Sequence, residues 1–450
     1  MGTEGEAAQR FLEEFVKEFP NPLGPEEPLP LSPLSSTVSP AEVQGESLDL
    51  ALRLLRARNA PPALGAALSH AAVSELLKSD LSSFHTSPAP EQDCDLLKSE
   101  PLQRSFLNRL REVCSAWQWE PPPVPSRRRY LLTSSHAIRN TRRKMEDRHV
   151  ELCDFDRLLG LQDNTERAYF AVFDGHGGVD AATFAATHLH VSLGQQEALR
   201  SDPAMALQKA FAHTDDLFRE KAKRDRLRCG STGLAVLIEG ERLHVAWLGD
   251  SQAMLVRQGQ AVTLMEPHKP EREDEKRRIE DLGGCIVFMG CWRVNGTYAV
   301  SRAIGDFDQK PYISNEADCK TVPLSGAEDY VLLACDGFFD IVQPQEVAGL
   351  VLEHLQQSGG QGVGAAQSLV ARAKSCGSTD NITVLLVFLR DPQDILREAA
   401  AGGGRQAETQ PPEFVFFRDN GESGQMEAVT AETSRSTGGK AEEGAKEQSQ

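Results

Sequence analysis

The sequence predicts a mixed α and β domain over residues 127–391, with a helical region before it and a low-complexity tail after it. Three observations carry that expectation. Short apolar runs of strand length, several bounded by Asp, recur through the middle of the chain. Stretches with helical periodicity lie between them, and prolines, glycines and acids collect towards the two ends. No repeat of fixed period is visible.

Taken in order, the first signal is a break. Seven prolines fall between Pro20 and Pro40, which prevents a continuous helix and predicts an extended linker. Ser39-Pro40-Ala41-Glu42 then reads as N-cap, first-turn proline and capping-box glutamate. Val43, Leu50, Leu54 and Leu55 come next at helical spacing. A second helix carries Leu64, Leu68, Val73, Leu76 and Leu77 after Pro61-Pro62, and a third carries Leu102, Phe106, Leu107, Leu110, Val113 and Trp117. Pro121-Pro122-Pro123 closes this acidic region, residues 1–126, which is expected to pack on the mixed domain. Beyond it come the strand runs Ala168–Phe173 before Asp174, His244–Gly249 before Asp250, Tyr330–Cys335 before Asp336, and Ile382–Leu389 after Asp380-Asn381. Helices are expected over Pro203–Lys223 and Gln345–Leu355. From about Arg397 the chain turns to Gly, Glu, Ser and Thr, too poor in apolar residues to offset its ordering entropy. The tail, 392–450, is therefore expected to be disordered, apart from Phe414-Val415-Phe416-Phe417, which reads as a patch against the chain's own globular part.

The 450 residues carry a formal charge of −18, with the excess acid at the two ends. Such a surface repels phosphate backbones and anionic lipid, so neither nucleic acid nor membrane is an expected partner. Arg127-Arg128-Arg129 and Lys221–Arg228 are short basic runs that read as solvated faces. No secretory signal, membrane span or complete myristoylation motif is recognised; position 6 is Glu where Ser or Thr is required. Nine cysteines without a CxxC pair fit a reducing compartment, and a soluble cytosolic protein is expected.

The chemistry lies in the acids at the strand ends. A single Asp there is an ordinary turn former. Three strand-final acids, Asp380 at a strand start and the adjacent Glu146-Asp147 are another matter, because gathered carboxylates cannot all ionise without a cation. Oxygen donors without a His or Cys cluster select hard ions, Mg²⁺ or Mn²⁺. In Asp174-Gly175-His176-Gly177-Gly178 the glycines permit a tight turn that brings a carbonyl to a metal, and His176 is able to protonate a leaving oxygen. Arg142, just before Glu146-Asp147, offers a planar guanidinium suited to phosphate.

Arg142-x-x-Met145-Glu146-Asp147, Asp174–Gly178, Gly249-Asp250-Ser251, Ser301–Asp306, Asp336-Gly337 and Asp380-Asn381 occur in the order found in metal-dependent protein phosphatases of the 2C type, and about 260 residues of the chain resemble that family. Within it, the flanking helices, His268–Arg272 and Cys291–Thr297 look most like the shorter, cytosolic form of the branch that acts on calcium/calmodulin-dependent kinases. The resemblance implies an α+β fold, a four-layer αββα sandwich of two antiparallel sheets with an N-terminal helical extension. It also implies roles. Asp174 would bridge two Mn²⁺ or Mg²⁺ ions, with Glu146 and the Gly175 carbonyl on one and Asp336 and Asp380 on the other. Asp147 would order water at the metals, and Asp250, with Asp336 and Asp340, would hold a weaker third ion. Arg142 would grip the phosphoryl oxygens and His176 would protonate the departing Ser or Thr. Such ions make water nucleophilic near neutral pH, so no covalent intermediate is expected. The implied substrates are autophosphorylated calmodulin-dependent kinases and p21-activated kinases, with Pix-type exchange factors as partners.

Other chemistries fit less well. No Cys has Arg six residues later, as a cysteine-dependent phosphatase loop requires, and Asp154-Phe155-Asp156 lacks the continuation of an aspartyl-phosphate motif and reads as a surface turn. Gly249-Asp250-Ser251 suggests a serine esterase, but no His has Asp three residues before it. A phosphopeptide-binding module would still need the metals, and a metal-dependent nuclease would need a basic groove.

Overall fold

In a computed structural model, residues 4–86, 95–121, 127–163 and 165–402 are described; of the tail expected to be disordered from 392, Pro392–Gly402 is instead a helix with Ile395 buried in an apolar cluster, and the part with Phe414–Phe417 lies outside the described residues. The described residues belong to one compact unit. The unit opens with α1 (Glu4–Glu18), a segment without helix, the short strand β1 (Thr37–Val38), α2 (Val43–Arg56), α3 (Pro62–Lys78), the short strand β2 (Leu97–Lys98) paired with β1, and α4 (Ser99–Trp117). The chain continues through β3 (Leu132–Ile138), β4 (Arg148–Leu152), α5 (Phe155–Leu159), β5 (Arg167–Phe173), β6 (Gly175–His176), α6 (Asp180–Gly194) and α7 (Pro203–Asp225). Next come β7 (Gly230–Ser231), β8 (Gly233–Glu239), β9 (Arg242–Leu248), β10 (Gln252–Arg257), β11 (Gln260–Thr263) and α8 (Glu273–Asp281). The hairpin β12 (Ile286–Phe288) and β13 (Trp292–Val294), then β14 (Ile304–Gly305), β15 (Asp318–Pro323) and β16 (Glu328–Ala334), lead to α9 (Asp336–Phe339), α10 (Pro344–Gln357), α11 (Ala365–Ser375), β17 (Ile382–Phe388) and α12 (Pro392–Gly402).

Two five-stranded antiparallel sheets, ordered β15-β9-β8-β5-β4 and β11-β10-β16-β17-β3, lie face to face. Strand alternation shows why the runs read as continuously apolar. On β5, Ala168, Phe170 and Val172 enter the core between the sheets, while Tyr169, Ala171 and Phe173 enter the core under α6 and α7. On β16, Val331 and Leu333, with Cys335 just after it, face between the sheets, and Tyr330, Leu332 and Ala334 face α10 and α11. Each central strand is buried on both faces, so neither face selects polar residues. The result is the four-layer αββα sandwich.

The N-terminal helices share the core under α6 and α7: Leu50, Leu54, Leu64, Leu68, Phe106 and Leu110 belong to one apolar cluster with Phe184 and Leu189. Helix α1 is absent from the sequence-level expectation, although Phe11, Leu12 and Phe15 are buried at helical spacing. Leu77, expected inside, is 44% exposed. Half of the capping box at Ser39 is made, the Ser39 amide donating to Glu42 at 2.7 Å, but the regular helix begins only at Val43. The surface turn expected at Asp154–Asp156 is instead the start of α5, where buried Asp154 pairs with Arg127 at 2.8 Å and Arg157 at 3.1 Å. That pairing also removes Arg127 from the solvated run. No helix among the described residues is long and apolar enough to cross a membrane.

Candidate active site

Register brings the acids together. Arg148 at the start of β4 pairs with Phe173 at the end of β5, so the preceding Asp147 and the following Asp174 sit side by side at one end of the first sheet. In the second sheet Ala334 pairs with Val384 and Ile382 with Ile138, which sets Asp336 and Asp380 at the corresponding end of that sheet. Gly249, at φ 88°, turns the chain after β9 and places Asp250 beside them. Here lies a cleft of about 860 Å³, lined by Arg142, Glu146, Asp174, Gly175, His176, Asp250, Asp336 and Asp380 among others. Asp147 lies behind the lining, 3% exposed. Gly337 is required by the close approach of the two β16–β17 ends: a Cβ there would overlap the Asn381 carbonyl oxygen.

The electrostatics are those of too many acids for the space. Burial, then the charges of Asp336, Asp147 and Asp250, raise the Asp174 carboxyl well above the carboxylate range. Burial and Asp336 push Asp250 up to about 8. Burial raises Asp147 to about 6 against the lowering hydrogen bond from Thr383, and burial also raises Asp336. Thr383 Oγ1 donates to Asp147 Oδ2 at 2.6 Å, while Asp147 Oδ1 is buried without a hydrogen-bond partner. Ligand atoms of Asp147, Asp174 and Cys335 lie within 4.8 Å of one another. A buried oxygen without a donor, surrounded by carboxylates that suppress each other's ionisation, suits a hard divalent cation. The Cys335 thiol does not compete, because burial raises its pKa and the Thr383 amide already donates to its sulfur at 3.2 Å.

Arg142 reaches across to hydrogen-bond the Asp380 carboxylate and remains more than half exposed to the cleft. Its loop is clamped by Asn381, whose Oδ1 accepts from the Glu146 amide at 2.8 Å and whose Nδ2 donates to the carbonyls of Arg139 at 2.9 Å and Lys144 at 3.0 Å. His176 Nε2 meets Asp306 Oδ2 at 2.7 Å. Burial opposes the imidazolium, but the Asp306 bond and charge outweigh it, and the His176 pKa is raised. Asp306 itself is buried at φ 48°, packed so closely on Gly230 that a Cβ there would overlap its carboxylate.

The structure thus gathers Arg142, Glu146, Asp174, Gly175, His176, Asp250, Asp336 and Asp380 in one cleft with Asp147 beneath, whereas Asp340 is exposed and engaged by Lys269 at 3.2 Å. Asp306 and Asn381 belong to the sequence motifs, but nothing local assigns them a partner, and Thr383 carries no signal beyond its place on a strand. Ser251 is buried, its hydroxyl 2.8 Å from Thr232 Oγ1, so it is no exposed nucleophile.

Comparison with known proteins agrees with this geometry. The family model described as Protein phosphatase 2C matches residues 132–382. Protein phosphatase 1F of Homo sapiens is 54% identical over 424 residues, covering 91% of this chain and 92% of the human protein. Protein phosphatase 1E of Mus musculus is 53% identical over 375 residues, 82% of this chain and 49% of that protein. Among solved structures, a C. elegans sex determining protein shares the fold with a TM-score of 0.67 at 23% identity, over 88% of this chain and 98% of its own.

Proposed function

Because the chain belongs to the protein phosphatase 2C family and is a metal-dependent protein serine/threonine phosphatase, we propose that its cleft hydrolyses phosphoserine and phosphothreonine with the residues gathered there. Glu146, Asp174 with the Gly175 carbonyl, Asp336 and Asp380 are the residues to hold two Mn²⁺ or Mg²⁺ ions, and Asp250 with Asp336 a weaker third, to which Asp340 contributes only on leaving Lys269. When bound, such ions supply a nucleophilic water near neutral pH and offset phosphoryl charge. Asp147, held at one oxygen by Thr383, presents the other to order water. Arg142 exchanges its Asp380 contact for the phosphoryl oxygens, where its planar fork binds two at once. His176, oriented by Asp306, whose bond and charge raise its pKa, donates a proton to the departing Ser or Thr oxygen.

One observation carries this reading: acids from five separate segments, Glu146-Asp147, Asp174, Asp250, Asp336 and Asp380, converge at a cleft that also holds a guanidinium and an imidazole, with the unpartnered Asp147 oxygen buried beneath it. Its test is turnover of a phosphothreonine peptide by wild type, Asp174→Ala and Asp336→Asn, with Mn²⁺ and with EDTA. Wild type is expected to be active only with metal, and both variants to lose at least about 100-fold in kcat. Activity that survives chelation would remove the mechanism.

Autophosphorylated calmodulin-dependent kinases and p21-activated kinases are the proposed substrates, Pix-type exchange factors the proposed partners, and the cytosol the proposed place of action. What supports these is the resemblance along His268–Arg272 and Cys291–Thr297 to one branch of the family. Dephosphorylation of such kinases in comparison with unrelated phosphoproteins tests it.

A further inference from the structure

Arg143 and Lys144 occupy the two positions of Arg142-x-x-Met145-Glu146-Asp147 to which the metal and phosphate chemistry assigns nothing. Both are exposed, and both line the catalytic cleft beside Arg142. Among the described residues neither side chain makes an ion pair or a hydrogen bond. Neighbouring cations are engaged: Arg142 with Asp380, Lys269 with Asp340, and Arg293 with the Thr297 carbonyl at 2.6 Å.

Their loop is also pinned. Besides the three Asn381 bonds, Asn140 Nδ2 donates to the Ser378 carbonyl at 2.6 Å and Thr141 Oγ1 to the Thr379 carbonyl at 2.5 Å. Cations whose backbone is already fixed lose less entropy on meeting a ligand. The chain as a whole carries −18, so two unengaged cations at the cleft place local positive charge where a substrate enters.

We propose that Arg143 and Lys144 form a subsite for a second anionic group on the substrate polypeptide, close in sequence to the residue being dephosphorylated. The inference rests on the phosphatase reading above and adds a substrate class to it: phosphoproteins whose target residue is flanked by Asp, Glu or another phosphate. Arg143 offers a planar fork to a carboxylate or phosphate, and Lys144 a compact charge. Exposed charge pairs are individually weak, so the two together are expected to favour an anionic flank by about three- to tenfold in kcat/KM, less at high salt.

The test uses the full chain with Mn²⁺ and phosphothreonine peptides alike except for one flanking residue, which is Gln, Glu or a non-hydrolysable phosphonoserine, moved through three positions on either side. An aryl phosphate, which has no flank, is the internal standard. Wild type is expected to prefer Glu or phosphonoserine at one or more positions, and the two arms tell carboxylate from phosphate recognition. The Arg143→Gln/Lys144→Gln variant is expected to lose the preference while turning over the aryl phosphate within about twofold of wild type. Lys223→Glu, an exposed charge reversal on α7, is expected to keep the preference. Equal rates on all peptides with wild type, or a preference retained by the double variant, would overturn the subsite. Loss of the preference in Lys223→Glu would overturn it as well, assigning the effect to net charge. No turnover of any substrate by wild type would instead fail the phosphatase reading, and the subsite with it.

Discussion

The carboxyl of Asp147 is held at one oxygen by Thr383 and unpartnered at the other, and Asp306 stands in the same relation to His176 that Thr383 does to Asp147. Each supporting residue fixes a side chain that works on water or on the substrate, so its removal is expected to change the chemistry more than the fold. Asp306→Asn leaves the His176 ring a neutral partner. It is expected to lower kcat on phosphothreonine peptides by about 10- to 100-fold while slowing aryl phosphates, whose leaving group needs no proton, by less than about threefold. Equal slowing of both would argue against a proton-donating His176. Thr383→Val is expected to raise the Mn²⁺ concentration for half-maximal activity, by about tenfold, read from a metal titration. Asp174, Asp250 and Asp336 are legible in the sequence because each ends an apolar run, Asp380 because it precedes one, and Glu146-Asp147 because they are adjacent acids. Their partners are not, since Asp306 lies 130 residues from His176 and Thr383 lies 236 from Asp147.

Elements meet here through a few close approaches. Asn381, between the last strand's acid and its first apolar residue, fastens the loop from Arg139 to Glu146 by three hydrogen bonds across more than 230 residues of chain. Asn381→Ala is expected to cost about 2 kcal/mol, measured by urea unfolding with metal present, because it leaves one amide and two carbonyls without partners. On the opposite face, Gly45 of α2 lies so close to α6 that a Cβ would overlap His188 Nδ1. Gly45→Val is expected to destabilise the protein by about 1–3 kcal/mol, with the surviving folded fraction keeping its kcat. Helical period locates α2, α3 and α4, since their apolar positions recur on one face. The start of α5 reads as a surface turn because Asp-x-Asp is ordinarily solvated, and only its pairing with Arg127 and Arg157 buries it.

Across the whole molecule the same crowded acids link stability to pH and metal. Carboxyls raised in the folded state, Asp250 to about 8 and Asp147 to about 6, keep protons that the unfolded chain releases near 4. Their contribution to stability is present at low pH and lost as pH rises from about 4 towards 8, and the raised His176 acts in the same direction. The buried His188, His190 and His244, lowered to about 3, 4 and 4, act in the opposite direction below about pH 6.5, so without divalent ions Tm is expected to fall between pH 7 and pH 8. Saturating Mn²⁺, which replaces those protons, is expected to raise Tm at pH 8 by about 5 °C or more and by less at pH 5. A larger metal effect at pH 5, measured by calorimetry, would contradict the crowded-acid account.

Local pattern was enough for the strand runs, most of the helices, the acidic residues of the site and the family they resemble, because adjacency and periodicity along the chain record burial directly. Convergence was a matter of register. Two sheets had to stack with the ends of β5 and β16 together before Asp147, Asp174, Asp336 and Asp380 became one cluster. The pairings of His176 with Asp306 and of Asn381 with the Arg142 loop, and the lack of any partner for Arg143 and Lys144 among the described residues, likewise belong to the folded chain. A hydrogen bond or an unmet charge is a relation between atoms that only packing brings within reach.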